Sequence, residues 1–445
     1  MNAFKNSLDN PSLQTLFNGH PDLQVDQNKG LLFKEANLTE IANQVGTPTW
    51  VISADILQTR YRRLVEAFIN EQLNVSIHYA IKANGHLAVL DLLAKEGAGA
   101  DIVSGGELKR ALAANIAPAK ICFSGVGKTE EELRLALQEH VGQINVESRE
   151  ELQMLSRIAQ DMNEMAPICL RINPDVDAGT HHKITTGLAE NKFGIAYQQA
   201  IEIYTEAHQL PNLKPLGYAV HIGSQITTQT PYRKAFSRMV ELITQTREKG
   251  LSVEVLDCGG GFGITYFNEK ESNPQQIASL MKSKLGSLDI QLYIEPGRWL
   301  AGPAGILLSR VILRKNNGQD AAPFIIIDAA MNDLIRPTLY EAWHGILPVE
   351  ASTYKNNVEE CHIVGPVCES GDTFARYRQL PILQPGNIIA ILDTGAYGSV
   401  MSSTYNARPF AAQVMTKGDQ YTIIQQRQSI EAMWENEIIP FQKTK

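Results

Sequence analysis

Lys82 is the residue whose position first suggests chemistry. It ends a strand-like run that begins at Val75. A lysine at the exit of a buried strand is poorly placed for solubility, and burial lowers the pKa of its amine and makes it nucleophilic. A lysine that forms a Schiff base needs that property. The alternative is a lysine whose stem covers the strand end while its ammonium reaches water, and this fragment alone favours the alternative.

A glycine-rich turn is the second chemical feature. The segment Cys258–Gly263 follows the seventh predicted strand and contains Gly259, Gly260, Gly261 and Gly263. Glycine lets backbone N–H groups approach an anion closely, and in parallel-barrel enzymes phosphate often binds after strand seven. A plain turn would explain the same residues, but the presence of the lysine favours a phosphate site.

The third feature is the segment Glu295-Pro296-Gly297-Arg298 after the eighth predicted strand. The Glu295 carboxylate could hold the N–H of a pyridinium ring and so keep the ring an electron sink. Arg298 could bind either a phosphate or a substrate carboxylate. An ion pair on a surface loop is the plain alternative.

His221 ends the sixth predicted strand, and Ser224 follows it closely. An imidazole can stack on a planar ring, and a serine hydroxyl can donate to a phosphate. A lone histidine is more often structural, which is how we interpret His182, His344 and His362.

Together these residues supply an amine nucleophile, a phosphate cradle, a carboxylate for a ring nitrogen and a stacking imidazole. That combination is typical of a site for pyridoxal 5′-phosphate (PLP). The sequence has no His-Glu-x-x-His motif and no paired Cys/His spacing, so we predict no metal centre.

These residues need a scaffold that brings strand ends together. From Trp50 onward, short β-branched runs alternate with helical patterns, several of which begin with a capping box: Ser104–Glu107, Thr129–Glu132 and Ser148–Glu151. Eight such alternations predict a (β/α)8 barrel of the TIM type. The predicted strands are Val75–Ala80, Ala100–Val103, Lys120–Phe123, Gln143–Val146, Ile168–Ile172, Gly217–His221, Val253–Asp257 and Gln291–Glu295.

The unusual residues all fall at or just after the C-terminal ends of these strands. Barrel active sites lie on that face, and a random scatter would place about half of such residues at the other end. We therefore expect one site that contains Lys82, Ser104, Arg171, His221, Gly259–Gly261 and Glu295.

The pattern changes after about Pro303, where short strands are separated by Pro and Gly turns and only one short helix is expected, near Asp333–Tyr340. The fold class is therefore α/β plus all-β. Residues 1–47 are expected to form a leader and an N-terminal segment, in which Leu31–Phe33 pairs with the β domain. The range 48–302 is assigned to the PLP-binding barrel and 303–445 to a C-terminal β-sandwich or β-barrel, with strands at Phe324–Asp328, Cys361–Val364 and Ile388–Asp393.

Composition narrows the class of protein. The net charge of −8 offers no basic excess for a nucleic-acid partner. No apolar run has the length of a membrane span, and no signal segment is evident. The five cysteines are odd in number and form no CxxC pair, and four lie within or beside apolar runs. We therefore expect a cytoplasmic protein that keeps its thiols reduced.

From about Phe33 to Val414, the chain resembles the fold-type III PLP-dependent decarboxylases, and within them the diaminopimelate branch. The motifs that carry the resemblance are Tyr79–Asn84, Asp101–Glu107, Thr186–Gly194, His221–Gln225, Glu295–Arg298, Met331–Tyr340, Gly365–Asp372 and Asp393–Gly398. The Glu295–Arg298 motif is shared with ornithine and arginine decarboxylases, so the C-terminal motifs are the ones that discriminate. Residues 1–30 have no clear counterpart in the resemblance.

The resemblance implies roles for residues of the β domain. Arg336 and Tyr340 are expected to contact substrate, and Tyr397 is expected near cofactor and substrate. Cys368 and Glu369 lie in a loop that, in the family, reaches the partner subunit's active site, which implies a homodimer. Ornithine-type enzymes usually have Asp at the position of Glu369.

The implied reaction is decarboxylation of meso-2,6-diaminopimelate to L-lysine and CO2, the last step of lysine biosynthesis. Lys82 is expected to carry PLP, and Cys368 to return a proton to Cα. A related decarboxylase for ornithine, lysine or another diamino acid remains the main alternative. A barrel racemase is disfavoured, since racemases of this fold typically place Arg at the ring nitrogen. Retention of Lys82, Cys368 and the glycine run disfavours an inactive regulatory homologue.

Overall fold

The computed structural model describes residues 10–178, 192–316, 318 and 321–440, and the chain divides into two compact units. The barrel unit spans Ile56–Gly302, and the β unit contains the described residues up to Asp55 and from Pro303 onward. His182 and most of the Thr186–Gly194 motif lie outside the described residues. No helix within the described ranges is both long and apolar enough to cross a membrane.

The α-helices are α1 (Leu13–Gly19), α2 (Leu38–Val45), α3 (Ala54–Asn70), α4 (Leu87–Lys95), α5 (Gly105–Ala113), α6 (Glu130–Gln138), α7 (Arg149–Met162), α8 (Ala200–Gln209), α9 (Thr230–Glu248), α10 (Pro274–Leu285), α11 (Arg298–Ala301) and α12 (Arg336–Tyr340).

The strands of the N-terminal segment and the barrel are β1 (Leu23–Asp26), β2 (Gly30–Phe33), β3 (Ala36–Asn37), β4 (Thr49–Ser53), β5 (Val75–Ala80), β6 (Gly99–Ile102), β7 (Ile121–Phe123), β8 (Gln143–Val146), β9 (Ala166–Asn173), β10 (Ile195–Ala196), β11 (Leu213–Val220), β12 (Val255–Asp257) and β13 (Gln291–Ile294). Those of the C-terminal region are β14 (Gly305–Lys315), β15 (Phe324–Ile327), β16 (Ile346–Pro348), β17 (Val358–Val364), β18 (Thr373–Pro381), β19 (Ile388–Ile391), β20 (Ala412–Lys417) and β21 (Gln420–Gln425).

Eight parallel strands close into a barrel. Strands β5 to β9 pair in chain order, β9 pairs with β11, and β11, β12 and β13 continue the ring. The ring closes where β13 pairs with β5, with Leu292 opposite Val75. The predicted (β/α)8 architecture and its eight strands are therefore confirmed.

The sixth barrel strand is longer than predicted. The predicted strand starts at Gly217. The structure begins β11 at Leu213, and the pairing with β9 shifts register between Pro215 and Gly217. A β-bulge thus carries the strand past the proline.

The helix starts agree with the capping signals. Ser104, Thr129 and Ser148 each accept a hydrogen bond from the backbone N–H three residues later. The Thr129 pair is the reciprocal one, whereas the carboxylates of Glu107 and Glu151 accept from the N–H groups of Val103 and Glu147. Ser104 therefore serves to begin α5.

The β unit is built on a nine-stranded sheet of mixed direction. Its buried core includes Trp50, Leu307, Ile327 and Ile391. The sequence pattern assigns residues 48–55 to the barrel, whereas β4 pairs with β14 and β20 in this sheet. A fully buried strand reads as the same apolar run in either unit, so local sequence does not separate the two.

The N-terminal segment adds a small antiparallel sheet of β1, β2 and β3. Leu31–Phe33, expected to pair with the β domain, lie in β2 and pair within this small sheet. The backbone N–H of Leu31 donates to the carbonyl of Val349, which ties the small sheet to the rest of the β unit.

Lys128 braces the wall of the barrel on its C-terminal face. Its buried ammonium donates to the carbonyl oxygens of Gly125 and Asn145 and to the Glu151 carboxylate, at 2.6–2.7 Å. Burial raises the pKa of Glu151, and the ammonium of Lys128 opposes that effect. One side chain therefore joins the loop after β7, the end of β8 and helix α7.

We expect Lys128→Met to lower the free energy of unfolding by about 3–5 kcal/mol, because the Glu151 carboxylate then lacks its buried partner. Lys95→Met is the matched control. Lys95 is 72% exposed and pairs with Asp91 on the same helix, so its loss should change the stability by less than about 0.5 kcal/mol. Urea denaturation followed by circular dichroism measures both variants, and equal midpoints would contradict the bracing role.

Candidate active site

Lys82 lies in a short 3-10 turn, Ile81–Ala83, directly after β5. Its side chain is 35% exposed, and Nζ lies 2.7 Å from Oδ2 of the fully buried Asp101 at the end of β6. The N–H of Ala80 donates to the carbonyl of Pro296, which joins this turn to the loop after β13. The amine is thus less buried than the sequence suggests, but a buried anion fixes its position.

The glycine turn after β12 has little room for side chains. Gly259 and Gly261 have φ angles of +67° and +95°, which favour glycine. A Cβ on Gly260 would lie 2.1 Å from the carbonyl oxygen of Glu295, and one on Gly263 would lie 2.7 Å from Thr227. Close packing of backbone against backbone therefore requires this run of glycines.

Three backbone N–H groups of the glycine turn donate hydrogen bonds within the protein. Gly259 N–H donates to Asp257, Gly260 N–H donates to His221 Nδ1, and Gly263 N–H donates to Ser272 Oγ. Gly261 is partly exposed, while Gly259 and Gly260 are buried. Gly261 is therefore more accessible than its two neighbours in the turn.

Arg298 and Ser224 meet beside this turn. The buried guanidinium donates to Ser224 Oγ from Nη2 at 3.1 Å and to the Tyr266 hydroxyl from Nη1 at 2.9 Å. Ser224 follows Gly223, whose carbonyl oxygen faces Gly261. A cation and a hydroxyl therefore lie together near the glycine turn, and both are groups that bind anions.

His221 is neutral in this environment. Burial, and then the positive charges of Arg171 and Lys82, hold the pKa of the imidazole well below its usual range. Because Nδ1 accepts the N–H of Gly260, the proton of the neutral ring lies on Nε2. Arg171 itself pairs with Glu147 at 2.7 Å.

Glu295 and Asp257 form a buried carboxyl pair at the ends of β13 and β12. Burial and the neighbouring carboxylates of Asp101 and Asp257 raise the pKa of Glu295 well above its usual range. Burial also raises the pKa of Asp257, although that carboxylate accepts bonds from Gly259 N–H, Gln143 and Asn145 at 3.0–3.4 Å. Asp257 has more hydrogen-bond donors to stabilise its charge, so Glu295 is the group of the pair whose protonated form is favoured more strongly.

Four of the residues expected in one site line a common cavity, whereas Ser104 and Gly259–Gly261 are not among its lining residues. A cavity of about 190 Å³ on the C-terminal face is lined by Lys82, Arg171, His221 and Glu295, together with Asn145 and Asp257. Each of them lies within two residues of the C-terminal end of a barrel strand. The expected convergence of strand ends is thus present in the structure.

The β unit carries Arg336 at the start of α12. Arg336 is buried, and its Nη1 donates to His344 Nε2 at 2.7 Å. His344 Nδ1–H donates in turn to the carbonyl of Leu392. His344, interpreted as structural from the sequence, holds the guanidinium of a predicted substrate residue.

The loop Gly365–Asp372 carries Cys368 and Glu369, both exposed in the single chain. The carboxylate of Asp372 accepts the N–H groups of Val367 and Met331, which ties the loop to the segment before α12. The backbone N–H of Cys368 donates to Asn406 Oδ1. Thr338 on α12, between Arg336 and Tyr340, donates to the carbonyl of Gly371, so the structure brings both predicted motifs together.

Tyr397 lies in the loop after β19, where it is half-buried and has a φ of +56°. A tyrosine in that left-handed region is uncommon and indicates a constrained loop.

Four functional neighbours were not singled out from the sequence: Asp101, Asp257, Tyr266 and His344. For Asp101 and Asp257 a signal was present, since each is a carboxylate at the end of a predicted barrel strand. For Tyr266 local sequence offers no signal, because its partner Arg298 lies 32 residues away in the chain. His344 lies only eight residues from Arg336, but that spacing alone does not predict their contact.

The barrel unit matches the family model described as "Pyridoxal-dependent decarboxylase, pyridoxal binding domain" over residues 55–302. A closed (β/α)8 barrel with this match defines a PLP-dependent decarboxylase, and PLP is its cofactor. The site fits that group, since it offers an amine, a protonatable carboxyl pair and a turn that a Cβ would fill.

Curated relatives narrow the class. The diaminopimelate decarboxylase of Zymomonas mobilis is 44% identical over 416 residues, 92% of this chain and 97% of that protein. The diaminopimelate decarboxylase of Helicobacter pylori complexed with L-lysine has a TM-score of 0.86 and 38% identity, covering 90% of this chain and 99% of that one. The M. jannaschii enzyme has a TM-score of 0.89 and 34% identity, over 96% and 99%. The chain belongs to the diaminopimelate decarboxylase family, a group of PLP-dependent carboxy-lyases.

Gly260→Ala should weaken PLP binding, because its Cβ would lie 2.1 Å from the Glu295 carbonyl. Extra atoms in a packed environment cost about 1–3 kcal/mol, which is about 5- to 150-fold in Kd if the bound form bears the loss. Gly127→Ala is the control, since its Cβ would meet no atom within 4 Å. Absorbance titration of apoenzyme with PLP measures both, and equal Kd values would argue against a packed cofactor turn.

Proposed function

We propose that this protein decarboxylates meso-2,6-diaminopimelate to L-lysine and CO2, with the barrel residues holding the cofactor and β-unit residues selecting the substrate. The single observation that carries the barrel half is the convergence of Lys82, Arg171, His221 and Glu295 on one cavity. A reducing compartment such as the cytoplasm suits the chain, since all five cysteines are unpaired.

Lys82 is the residue proposed to bind the cofactor covalently. Its amine points from the β5 exit into the cavity, and Asp101 holds it in place. When bound, PLP draws electrons from the substrate's Cα, so that the bond to the carboxylate can break with release of CO2. Asp101 keeps a counter-charge beside the amine whether or not a ligand is present.

Glu295 is proposed to hold the proton at the ring nitrogen. A carboxyl group buried between Asp101 and Asp257 is stabilised in its charged form only when a cation lies against it. A ring N–H⁺ supplies that cation, and its positive charge is in turn retained. His221, which is neutral and held by Gly260, can present a flat face to the ring without adding charge.

Arg298, Ser224 and Gly261 are proposed to bind the phosphate. The contacts of Arg298 with Ser224 and Tyr266 favour this role over the alternative of a substrate carboxylate. Gly259, Gly260, Gly263, Pro296 and Gly297 shape the turn without each supplying a donor. Arg171, which pairs with Glu147, is proposed to form part of the wall of the cofactor cavity.

Substrate selection is proposed to rest on the far end of diaminopimelate, which carries a carboxylate and an ammonium. Arg336 can bind the carboxylate through a bidentate fork, and His344 orients it. Glu369 can bind the ammonium, with Tyr340 and Tyr397 orienting the chain. Lysine and ornithine lack that carboxylate, and an unsatisfied buried polar site can reject such an analogue by about 10⁴-fold.

Cys368 is proposed to complete the reaction. After the Cα–carboxylate bond breaks, the thiol donates its proton to Cα, and the resulting thiolate is reprotonated from solvent. Both Cys368 and Glu369 are exposed in the single chain, where a second subunit can reach them. We therefore propose a homodimer in which this loop serves the partner subunit.

The substrate assignment is tested by supplying the holoenzyme with meso-diaminopimelate, lysine and ornithine and measuring CO2 release. Arg336→Ala should lower kcat/KM for diaminopimelate roughly 30- to 900-fold, because a buried charged contact is lost. This factor corresponds to an increase of about 2–4 kcal/mol in the activation free energy. Turnover of ornithine should fall far less. Arg314→Ala is the control, since Arg314 pairs with Glu359 on the strands of the β unit. Comparable turnover of ornithine or lysine by the unmutated enzyme would instead favour a related diamino-acid decarboxylase.

The shared site is tested by co-expressing Lys82→Ala chains with Cys368→Ala chains. Half of randomly assembled dimers pair unlike chains, and each of these holds one intact site, so activity should recover to about a quarter of wild type. Co-expression of Lys82→Ala with the double variant Lys82→Ala/Cys368→Ala is the control, because no intact site can form. If the first mixture is as inactive as the control, Cys368 does not act across subunits.

A further inference from the structure

Helix α1 is seated on the β unit. Leu16 is buried, Leu13 packs against the core of the unit, and the ring of Phe17 lies 6.0 Å from that of Tyr354. A Cβ on Gly345 would come within 3.5 Å of Leu16. The segment from Ser12 to His20, called here the leader helix, is therefore a packed part of this unit.

His20 ends the leader helix with both ring nitrogens facing acceptors. Nδ1 lies 2.7 Å from the carbonyl oxygen of Leu16, and Nε2 lies 2.8 Å from Oδ2 of Asp393. A neutral imidazole has a single N–H and can satisfy only one of these acceptors. An imidazolium donates to both acceptors at once, and so forms an ion pair with a carboxylate that is 3% exposed.

Asp393 begins the constrained loop that carries Tyr397. Both residues have a φ of +56°, and the next N–H, that of Thr394, donates to the carbonyl of Gly305. On the other side, the carbonyl of Leu392 accepts from His344, the residue that also holds Arg336. Asp393 thus lies where the leader helix and the proposed substrate residues meet.

The charges around His20 agree with this geometry. Burial disfavours a charge on the ring, but the Asp393 carboxylate, the hydrogen bonds to Asp393 and to the Leu16 carbonyl, and the charge of Asp22 together raise its pKa to about 9. The ion pair is therefore present at neutral pH and is lost as the pH rises through about 9.

We propose that the leader helix is a positioning element of the active site, in which His20 holds Asp393 and thereby fixes the loop that carries Tyr397. The proposal rests on the proposed substrate role of Tyr397. His20 is a positioning residue that acts through Asp393. The leader helix, which lies outside the motifs that carry the family resemblance, would then contribute to substrate binding.

The test compares His20→Asn and His20→Arg with the matched control Gln14→Ala. Gln14 lies on the same helix and is exposed, and its side-chain amide donates a hydrogen bond to Asn18 Oδ1. His20→Asn should raise KM for diaminopimelate about tenfold with a much smaller change in kcat, since a hydrogen bond between charged groups is lost. His20→Arg stays cationic throughout the pH range of these assays and should keep KM near wild type, while Gln14→Ala should leave it unchanged.

The pH dependence separates positioning from simple stabilisation. The pKa of His20 is higher in the folded than in the unfolded protein, so its stabilising effect is complete below about pH 6.5 and is lost through about pH 9. KM of the wild type should therefore rise above pH 9 relative to that of His20→Arg measured at the same pH, which cancels the titration of the substrate. Parallel KM profiles for wild type and His20→Arg, or a wild-type KM in His20→Asn with only a lower Tm, would overturn the proposal.

Hydrogen exchange tests the same role without substrate and without the His20→Asn variant. Hydrogen exchange of the peptide that contains residues 393–398 in the apoprotein should accelerate above pH 9 in wild type, beyond its intrinsic increase, and not in His20→Arg. Equal exchange in the two proteins would reject the positioning role. Absence of decarboxylation together with the expected exchange difference would reject the proposed function alone.

Discussion

The buried carboxyl pair of Glu295 and Asp257 is the interaction on which the rest of the barrel site depends. Two carboxylates out of water, with Asp101 close by, repel one another and cost several kcal/mol unless protons or cations compensate them. Asp257 is compensated by donors from Gly259, Gln143 and Asn145, and Asp101 by Lys82. Glu295 has the strongly raised pKa of the group, so a cation bound beside it would favour its charged form. A structural core would avoid this arrangement, whereas a site for a cationic ring requires it.

Closure of the barrel produces that arrangement. Glu295 and Asp257 end neighbouring strands, and pairing of β13 with β5 brings the first and last strands together. The Lys82 turn then lies against the loop after β13 through the Ala80–Pro296 hydrogen bond. The glycine turn completes the contact, since Gly260 packs on the backbone of Glu295 where no side chain would fit. The same packing that positions the carboxyl group therefore also shapes the proposed phosphate site.

In the β unit, the proposed substrate residues are positioned by a series of hydrogen bonds between individual residues. Arg336 is held by His344, His344 by the carbonyl of Leu392, and the neighbouring Asp393 by His20. Each link is local, but together they connect α12, the loop after β19 and the leader helix. These hydrogen bonds fix the orientation of side chains and do not transfer charge. His344 is neutral, since one ring nitrogen accepts from Arg336 while the other donates to the Leu392 carbonyl. The proposed selection of a second carboxylate would then depend on residues that never meet the substrate.

Local sequence determined the barrel strands, the helix caps and the strand-end positions of Lys82, His221, the glycine turn and Glu295. These follow from short-range patterns of β-branched runs, N-caps and glycines, which act over a few residues. Tertiary structure alone decided that β4 joins the β unit, that Asp101 and Asp257 are the partners of Lys82 and Glu295, and that His344 and His20 are functional neighbours. For β4, Lys82 and His20 the partner lies in a separate segment of the chain, whereas His344 lies only eight residues from Arg336 and is brought to it by the local fold around α12. The identity of a residue shows which bonds it can make, but the partner with which it makes them is settled only when the sheets close and the cores pack.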